Sequence, residues 1–478
     1  MSWKLKKKLE KRLDAEIGTI HKDWGGKLSI CLVYPNTYRV GMGNLAVHTI
    51  YDILNAQEDI ICERAFLPDD DELEEYERSG ANLLSLESQK PLGEFDAVAF
   101  TISFENDYLN ILPILSLAKI PHRKNERNEH HPVLIAGGAA PTLNSRPLSK
   151  IFDRIIPGEF EACNDDLTEL FARREAHNAQ FTKGHLKDLN DSDTQTTIYS
   201  EDVEFGNMHL IEVQRGCPRG CKYCATPSLY RPFRFRNAES VLRMVDHGLK
   251  RRKRFGLIGA DLLSHPEFVE IATGIHSREA IFSASSVRID AIDEIRARLL
   301  ATSKHRSIAL GVEAGSQRLR GLLGKRTTDD QALDAAALLA KHGMTKIRLY
   351  FMIGLPGETE EDLDSIISLS RKFLISIRDN APKGKGLHGV DITISPFIPK
   401  PNTPFANEDF AGEKYIKEAI KGLKRQLKNE RGINLTHDSV LHAASEALLA
   451  KGNEDIIDFL EDFHNTGNLK RSLANYPA

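Results

Sequence analysis

This chain has little that would mark it as secreted, membrane-bound or globally nucleic-acid binding. Its 478 residues include only 6 cysteines, too few for a disulfide-stapled framework. No apolar run reaches the roughly 18 residues that a membrane helix needs. The opening residues Met1-Ser2-Trp3-Lys4-Leu5-Lys6-Lys7-Lys8 hold neither an apolar core nor a cleavage site, so they do not read as a signal peptide. A formal net charge of −4 supplies no basic excess for a polyphosphate partner. There is no internal repeat and no low-complexity tract. With 41% hydrophobic and 28% charged residues, the remaining class is a globular chain with ample core, long enough for two or three domains. A reducing cytoplasm is the expected compartment, since it keeps thiols free to act as ligands.

Half of the few cysteines fall in one loop, Gly216-Cys217-Pro218-Arg219-Gly220-Cys221-Lys222-Tyr223-Cys224, just after the apolar run Met208–Val213. Thiolates are soft ligands suited to iron–sulfur clusters, and a 4Fe–4S cluster normally takes four. Three thiolates leave one iron open for chemistry. Zinc is the weaker reading, because it wants four ligands and no second C-x2-C follows.

The loop resembles the signature of the radical S-adenosylmethionine (SAM) enzymes, including the aromatic Tyr223 before the third cysteine. The resemblance implies that Cys217, Cys221 and Cys224 bind a 4Fe–4S cluster whose open iron takes the amino and carboxylate groups of SAM. The reduced cluster would then cleave the sulfonium to a 5′-deoxyadenosyl radical. An electron donor such as a flavodoxin or ferredoxin is then an expected partner.

Residues 1–25 read as a basic amphipathic helix, with Leu5, Leu9, Leu13 and Ile17 at i+4 spacing for packing on the next domain. Residues 26–175 alternate strand and helix. The strands begin at Leu28–Tyr34, Asp59–Cys62, Phe95–Ile102, Pro132–Ala136 and Arg154–Pro157. Such alternation predicts a doubly wound, Rossmann-like parallel sheet whose ligands bind at the carboxyl ends of the strands. Those ends carry Asn36 to Gly41, Ser103 to Glu105 and Gly137-Gly138.

The order of this half resembles the cobalamin-binding domain that precedes many radical SAM cores. That family's first loop reads Asp-x-His-x-x-Gly, and Asn36, Tyr38 and Gly41 stand at its three named positions. The resemblance implies cobalamin held without a histidine ligand, among Asn36, Tyr38, Gly41, Ser103, Gly137 and Gly138, with its tail beside Gly137. Tyr34–Tyr38, Gly41–Leu45, Leu84–Ser88 and Ala136–Gly138 are similar to an uncharacterised subgroup of these cobalamin-domain-containing proteins. His122, His130 and His131 lie in a polar loop and read as solvated rather than metal-bound. Residues 176–205, with Asn190–Thr194 at their centre, read as a polar linker.

Residues 206–410 resume the alternation as six strand–helix steps, the count of the partial (β/α)6 barrel of the radical SAM core, with the site at the strand ends. The same resemblance assigns SAM contacts to Tyr223, Gly259, Asp261, Ser285, Arg288, Glu313, Arg348 and Met352. Each is also open to a plainer reading, since Asp261 or Glu313 could cap a helix or pair with an arginine. Residues 411–478 are expected to be a C-terminal helical region, its lysine-rich helix a solvated face.

The default outcome is methyl transfer to an unactivated carbon, where a radical is needed because the C–H bond has no acidity to exploit. The alternatives are a methylthiotransferase-like RNA or protein modifier, suggested by Glu313, and a non-catalytic iron–sulfur sensor. The former would need a second cluster on Cys31, Cys62 and Cys163, of which Cys31 and Cys62 sit in apolar runs.

Overall fold

The computed structural model describes residues 2–163, 167, 171, 183–305, 307–384 and 388–476. The chain forms two compact units, Met1–Asn207 with Leu448–Pro477, and Met208–Ala447.

The first unit is built on five parallel strands: β1 (Leu28–Thr37), β2 (Ile60–Leu67), β3 (Ala97–Thr101), β4 (Val133–Gly137) and β5 (Arg154–Ile156). Their order is β2-β1-β3-β4-β5, so the chain reverses direction across the sheet between β1 and β3, the switch point where such sheets bind ligands. Ile30, Cys31, Leu32 and Val33 are consecutive and all buried, because helices cover both faces of the sheet. The basic N-terminal helix Trp3–Asp14 buries Leu5 and Leu9. Its Arg12 pairs with Asp69 and Glu72 at the start of the helix Asp70–Ser79.

The expected linker behaves otherwise. Its part 176–182 lies outside the described residues, but Leu189, Thr194, Ile198, Tyr199 and Ser200 are buried. Ile17 and Tyr199 form an antiparallel bridge, and His48 Nδ1 accepts from the backbone of Thr197 and Ile198. Polar composition suggested a tether, yet its scattered apolar residues anchor it to the first unit.

The second unit carries β6 (His209–Glu212), the short antiparallel pair β7 (Gln214–Arg215) and β8 (Arg234–Phe235), then β9 (Arg254–Ile258), β10 (Ile281–Ala284), β11 (Ser286–Val287), β12 (Ser307–Glu313), β13 (Lys346–Ile353), β14 (Gly389–Pro396) and β15 (Ile433–His437). The parallel ladder runs β6-β9-β10, then β11-β12-β13-β14-β15, with β10 and β11 separated by Ser285 alone. β13 alternates strictly: Ile347, Leu349, Phe351 and Ile353 are buried, and Lys346, Arg348, Tyr350 and Met352 are not. One face of this ladder packs on helices through a large apolar core, and the other carries the alternate, less buried residues of β12, β13 and β14.

The C-terminal stretch is divided, and it is not purely helical. Residues 433–437 add β15 beside β14, with Asn434 Nδ2 donating to Asp391 Oδ1 at 2.9 Å. The helix Glu413–Gln426 buries Ile416, Ala419, Ile420 and Leu423 and leaves its lysines solvated. From Leu448 the chain belongs to the first unit. There the helix Ile456–Thr466 buries Ile456, Ile457, Phe459 and Leu460. Glu461 accepts from Arg123 Nη2 at 2.6 Å and contacts His122 Nε2 at 2.7 Å, and Asn144 Nδ2 donates to Gly452 O at 2.8 Å. Amphipathic spacing foretold these helices but could not say which unit their apolar faces would find.

Candidate active site

The cysteine loop is closed at its base by β7 and β8, where Gln214 faces Phe235 and Arg215 faces Arg234. Glu212 ties this base together, accepting from Arg215 Nη2 at 2.8 Å and meeting Arg236 Nη2 at 3.3 Å. Gly216 opens the loop at φ +84, and a Cβ there would stand 2.5 Å from Tyr230 O, so no other residue fits. The loop is braced from outside. Lys222 N–H donates to Leu323 O at 2.9 Å, and Phe405 N–H donates to Lys222 O at 3.2 Å. Gly324 lies so close to Gly220 that a Cβ would meet its carbonyl oxygen at 2.8 Å.

Cys217, Cys221 and Cys224 are free and half-buried. Burial pushes the Cys217 thiol up, and the charges of Asp261, Cys224 and Cys221 add to this, against the N–H of Arg219, which favours the thiolate. A metal would reverse that balance by binding the thiolate directly. Among the described residues no three His, Cys, Asp or Glu side chains stand in a finished metal-ligand arrangement. What fits a cluster here is the donor set itself: three soft thiols on one braced loop.

Two of the expected SAM residues meet beside this loop. Tyr223 and Met352 pack against an apolar patch of Ala314, Leu319, Leu323, Leu355 and Phe397. Burial raises the Tyr223 phenol far above its usual range, and Glu313, which accepts its hydrogen bond, raises it further. Glu313 itself sits at φ +75, an uncommon conformation for a glutamate that the surroundings must hold in place. Its Oε1 accepts from the buried Lys325 at 2.8 Å. Gly311 makes room for this pair, since a Cβ there would stand 2.6 Å from Glu313 Oε1 and 3.1 Å from Lys325 Nζ. Lys325 escaped the sequence reading, because a lysine 12 residues beyond the strand end gives no periodic signal.

On the next strand end, Asp261 is buried and its Oδ2 accepts from Arg219 Nε of the cysteine loop at 2.8 Å. Arg288 Nε stands 3.9 Å from the same oxygen and its Nη2 pairs with Asp290 at 2.9 Å. Burial works against the Arg288 charge, but Asp290 and Asp261 outweigh it and hold the guanidinium firmly protonated. At Gly259 a Cβ would fall 2.4 Å from Gln214 Cγ, so the glycine makes room for a neighbouring side chain. Ser285 is exposed where β10 gives way to β11. Arg348 lies exposed on the face of β13 opposite the core, in register with Asp391.

In the first unit the expected cobalamin residues divide into two groups. Asn36 and Ser103 lie at the β1 and β3 ends. Asn36 Nδ2 donates to Asp107 Oδ1 at 2.9 Å, and Asn44 Nδ2 donates to Ser103 Oγ at 2.8 Å. Tyr38, in contrast, is turned into the core. It is 1% exposed, stands edge-on to Phe66 at 5.2 Å and donates to Glu16 Oε1 at 2.6 Å. A cobalt-facing Tyr38 is therefore overturned, because packing on Phe66 and the Glu16 hydrogen bond fix the ring inward. Gly41 serves the same packing, since a Cβ would strike the Phe66 ring at 2.6 Å. Gly138, at φ +109, would place a Cβ 2.4 Å from Ile102 O, so the close approach there is made by the chain itself. Gly137 ends β4, its nearest neighbour Ile156 O. The sequence reading passed over Asp107, whose buried carboxyl is pushed up to about 6 by desolvation.

Residues 211–369 match the pattern of the radical SAM superfamily, and residues 46–195 match that of radical SAM proteins, N-terminal. The chain belongs to the radical SAM superfamily. It is an enzyme, and membership implies a 4Fe–4S cluster and SAM as its cofactors. An uncharacterised protein of Methanocaldococcus jannaschii is 29% identical over 456 residues, 93% of each chain. A tRNA-2-methylthio-N(6)-dimethylallyladenosine synthase of Koribacter versatilis is 26% identical over 46% of this chain and 52% of its own. Among solved structures, the cobalamin-dependent SAM radical enzyme OxsB with aqua-cobalamin and SAM bound is similar in fold at a TM-score of 0.52 and 14% identity, over 94% of this chain and 70% of that one. The radical SAM methyltransferase TsrM from Kitasatospora setae is similar at 0.50 and 16% identity, over 77% and 73%. Among the described residues no helix is long and apolar enough to cross a membrane.

Proposed function

We propose that this radical SAM enzyme holds its cluster on Cys217, Cys221 and Cys224, takes SAM against Tyr223, Met352, Glu313, Asp261 and Arg288, and carries out cobalamin-dependent methyl transfer to an unactivated carbon. The observation that carries the reading is the braced loop: three half-buried thiols flanked by an apolar patch and by a buried carboxylate–guanidinium network. When bound, cluster and SAM supply a primary carbon radical able to remove hydrogen from a C–H bond that no base could ionise. The chain's own task is to orient and to exclude water. The Tyr223–Met352 patch suits an adenine face, and Arg288 holds its position between Asp261 and Asp290 for a carboxylate or ribose partner. An external one-electron donor, such as a flavodoxin or ferredoxin, completes the scheme.

Cobalamin in the first unit rests on the polar corner at the β1/β3 switch point. Asp107 Oδ2 and the Tyr108 hydroxyl are buried there without a partner, and the amide rim of a corrin could satisfy both. Asn36 and Ser103 would sit in the same corner, and the likeness in fold to OxsB and TsrM points the same way. A methylthiotransferase-like second cluster is disfavoured. Cys31 and Cys62 lie within β1 and β2 and are buried at 0% and 1% exposure, whereas the thiols of the cysteine loop are half-buried outside any strand.

Anaerobic reconstitution tests the reading. Wild type should hold close to four iron per chain, and the triple variant Cys217→Ala, Cys221→Ala, Cys224→Ala should hold essentially none while keeping its circular dichroism. Equal iron in the two proteins sinks the assignment. For cobalamin, retention of corrin absorbance through a desalting column supports methyl transfer, and its complete absence would turn the proposal toward another radical reaction.

A further inference from the structure

Gln214 is 3% exposed, and neither its amide oxygen nor its amide nitrogen has a hydrogen-bond partner. A primary amide can donate twice and accept twice, and burying it with none of these met is costly. Buried polar groups in folded proteins are almost always satisfied, so an unmet pair calls for an explanation, of which a bound ligand is one. The charged residues around it are paired: Glu212 with Arg215 and Arg236, and Arg219 with Asp261.

Shape rather than polarity holds Gln214 in place. Its Cγ, Cδ and Nε2 lie 2.4, 2.9 and 3.2 Å from where a Cβ on Gly259 would stand. A glycine at 259 is thus the condition for this amide to lie across the carboxyl end of β9. A second unmet atom lies two residues further along that end. Asp261 is 2% exposed, and its Oδ1 has no partner while its Oδ2 is engaged by Arg219. One group that both donates and accepts, and one that only accepts, therefore flank the base of the cysteine loop, Gln214 being three residues before Cys217.

We propose that Gln214 is a ligand-contacting residue whose amide N–H donates to the carboxylate, and whose carbonyl accepts from an amino N–H, of the α-amino-acid end of SAM, with Asp261 Oδ1 as a further acceptor. The inference rests on the radical SAM reading above but concerns a residue outside the cysteine signature. It also explains why an unpaired amide is kept at a buried position: ligand binding gains what the ligand-free fold gives up.

The test measures SAM binding to the cluster-loaded protein by equilibrium dialysis, and melting temperature without SAM. Gln214→Met keeps the volume and removes the orphaned polar atoms. It should leave the melting temperature unchanged or raise it, while weakening SAM by about tenfold or more. Gln214→Glu keeps the shape but replaces the N–H donors with negative charge, and should weaken SAM at least as much. Binding of 5′-deoxyadenosine, which lacks the amino-acid end, should be equal in all three proteins. SAM affinity within about twofold of wild type in both variants overturns the inference, and a lowered melting temperature alongside would make Gln214 a structural residue. Should wild type itself fail to bind SAM, the functional reading falls and this inference with it; wild type binding while the variants bind equally removes only the role of Gln214.

Discussion

The two units use parallel strands in different ways. In β1, residues 30–33 are buried in succession, so both faces of the sheet are spent on core and only its edge at the strand ends is left for a ligand. In β13 every second residue is open, so one face is core and the other is a working surface carrying Arg348, Tyr350 and Met352 beside Glu313 of β12. The glycines follow the same division. Gly41 and Gly138 make way for Phe66 and Ile102, which is packing. Gly311 and Gly259 make way for the Glu313–Lys325 pair and for Gln214, which are polar groups at strand ends. A doubly covered sheet can hold a cofactor; a sheet covered on one side can also surround a substrate.

Alanine substitutions on the two strands should expose this contrast most strongly. Leu32→Ala in β1 and Leu349→Ala in β13 should each cost about 2–5 kcal/mol. The adjacent positions should then part company: Val33→Ala should cost roughly 2 kcal/mol, whereas Arg348→Ala should fall within about 0.5 kcal/mol of wild type. Urea unfolding followed by hydrogen exchange, which separates the units, is the suitable measurement. Equal costs at Val33 and Arg348 would erase the distinction.

A smaller effect should come from the switch-point corner. Asp107 titrates near 6 in the folded protein because burial disfavours its charge, above the ordinary carboxylate value. Its contribution to stability is therefore intact at low pH and is lost as pH rises through about 6. Asp107→Asn, which can still accept from Asn36, should be more stable than ligand-free wild type at pH 7 by on the order of 2 kcal/mol, with the difference closing towards pH 4. A constant difference across that range would show that Asp107 is not held in a costly environment.

The smallest effect concerns the helix Ile456–Thr466 of the first unit. Burial pushes the Glu461 carboxyl up, but Arg123 and His122 outweigh it and hold it below the usual range. Its stabilisation is thus present above the ordinary carboxylate pKa and lost as pH falls through its own lower value. Glu461→Gln should cost no more than about 1 kcal/mol, because the pair is partly solvated. The loss should appear as faster amide exchange in that helix at neutral pH and vanish in acid; unchanged exchange would show the pair to be idle.

Much of this was legible in the sequence for physical reasons that can be named. Runs such as Ile30–Val33 and Val133–Ala136 are continuous and apolar because both faces are covered, and they announced the parallel sheet directly. β15 was passed over although Ile433, Leu435 and the polar residues between them alternate, since five residues beside long helical patterns give a weak signal. The cysteine loop was plain from spacing alone. Its supports, Lys325 and Gln214, were not, because each is recognised by what surrounds it rather than by its neighbours in the chain.

By itself the sequence determined the alternation of strands and helices and the cysteine loop, which follow from local periodicity and residue chemistry, while β2 runs on to Leu67, past the expected end at Cys62. Only the tertiary structure decided which of the strand-end residues turn into the core and which stay open. Tyr38, aligned by spacing with a cofactor ligand, went to the core because Phe66, Glu16 and Arg12 were there to receive it. Gln214, unremarked in the sequence, was left buried and unpartnered because Gly259, 45 positions later, gave it room. The direction of a side chain is set by contacts between residues far apart in the chain, and those contacts exist only once the fold has brought them together.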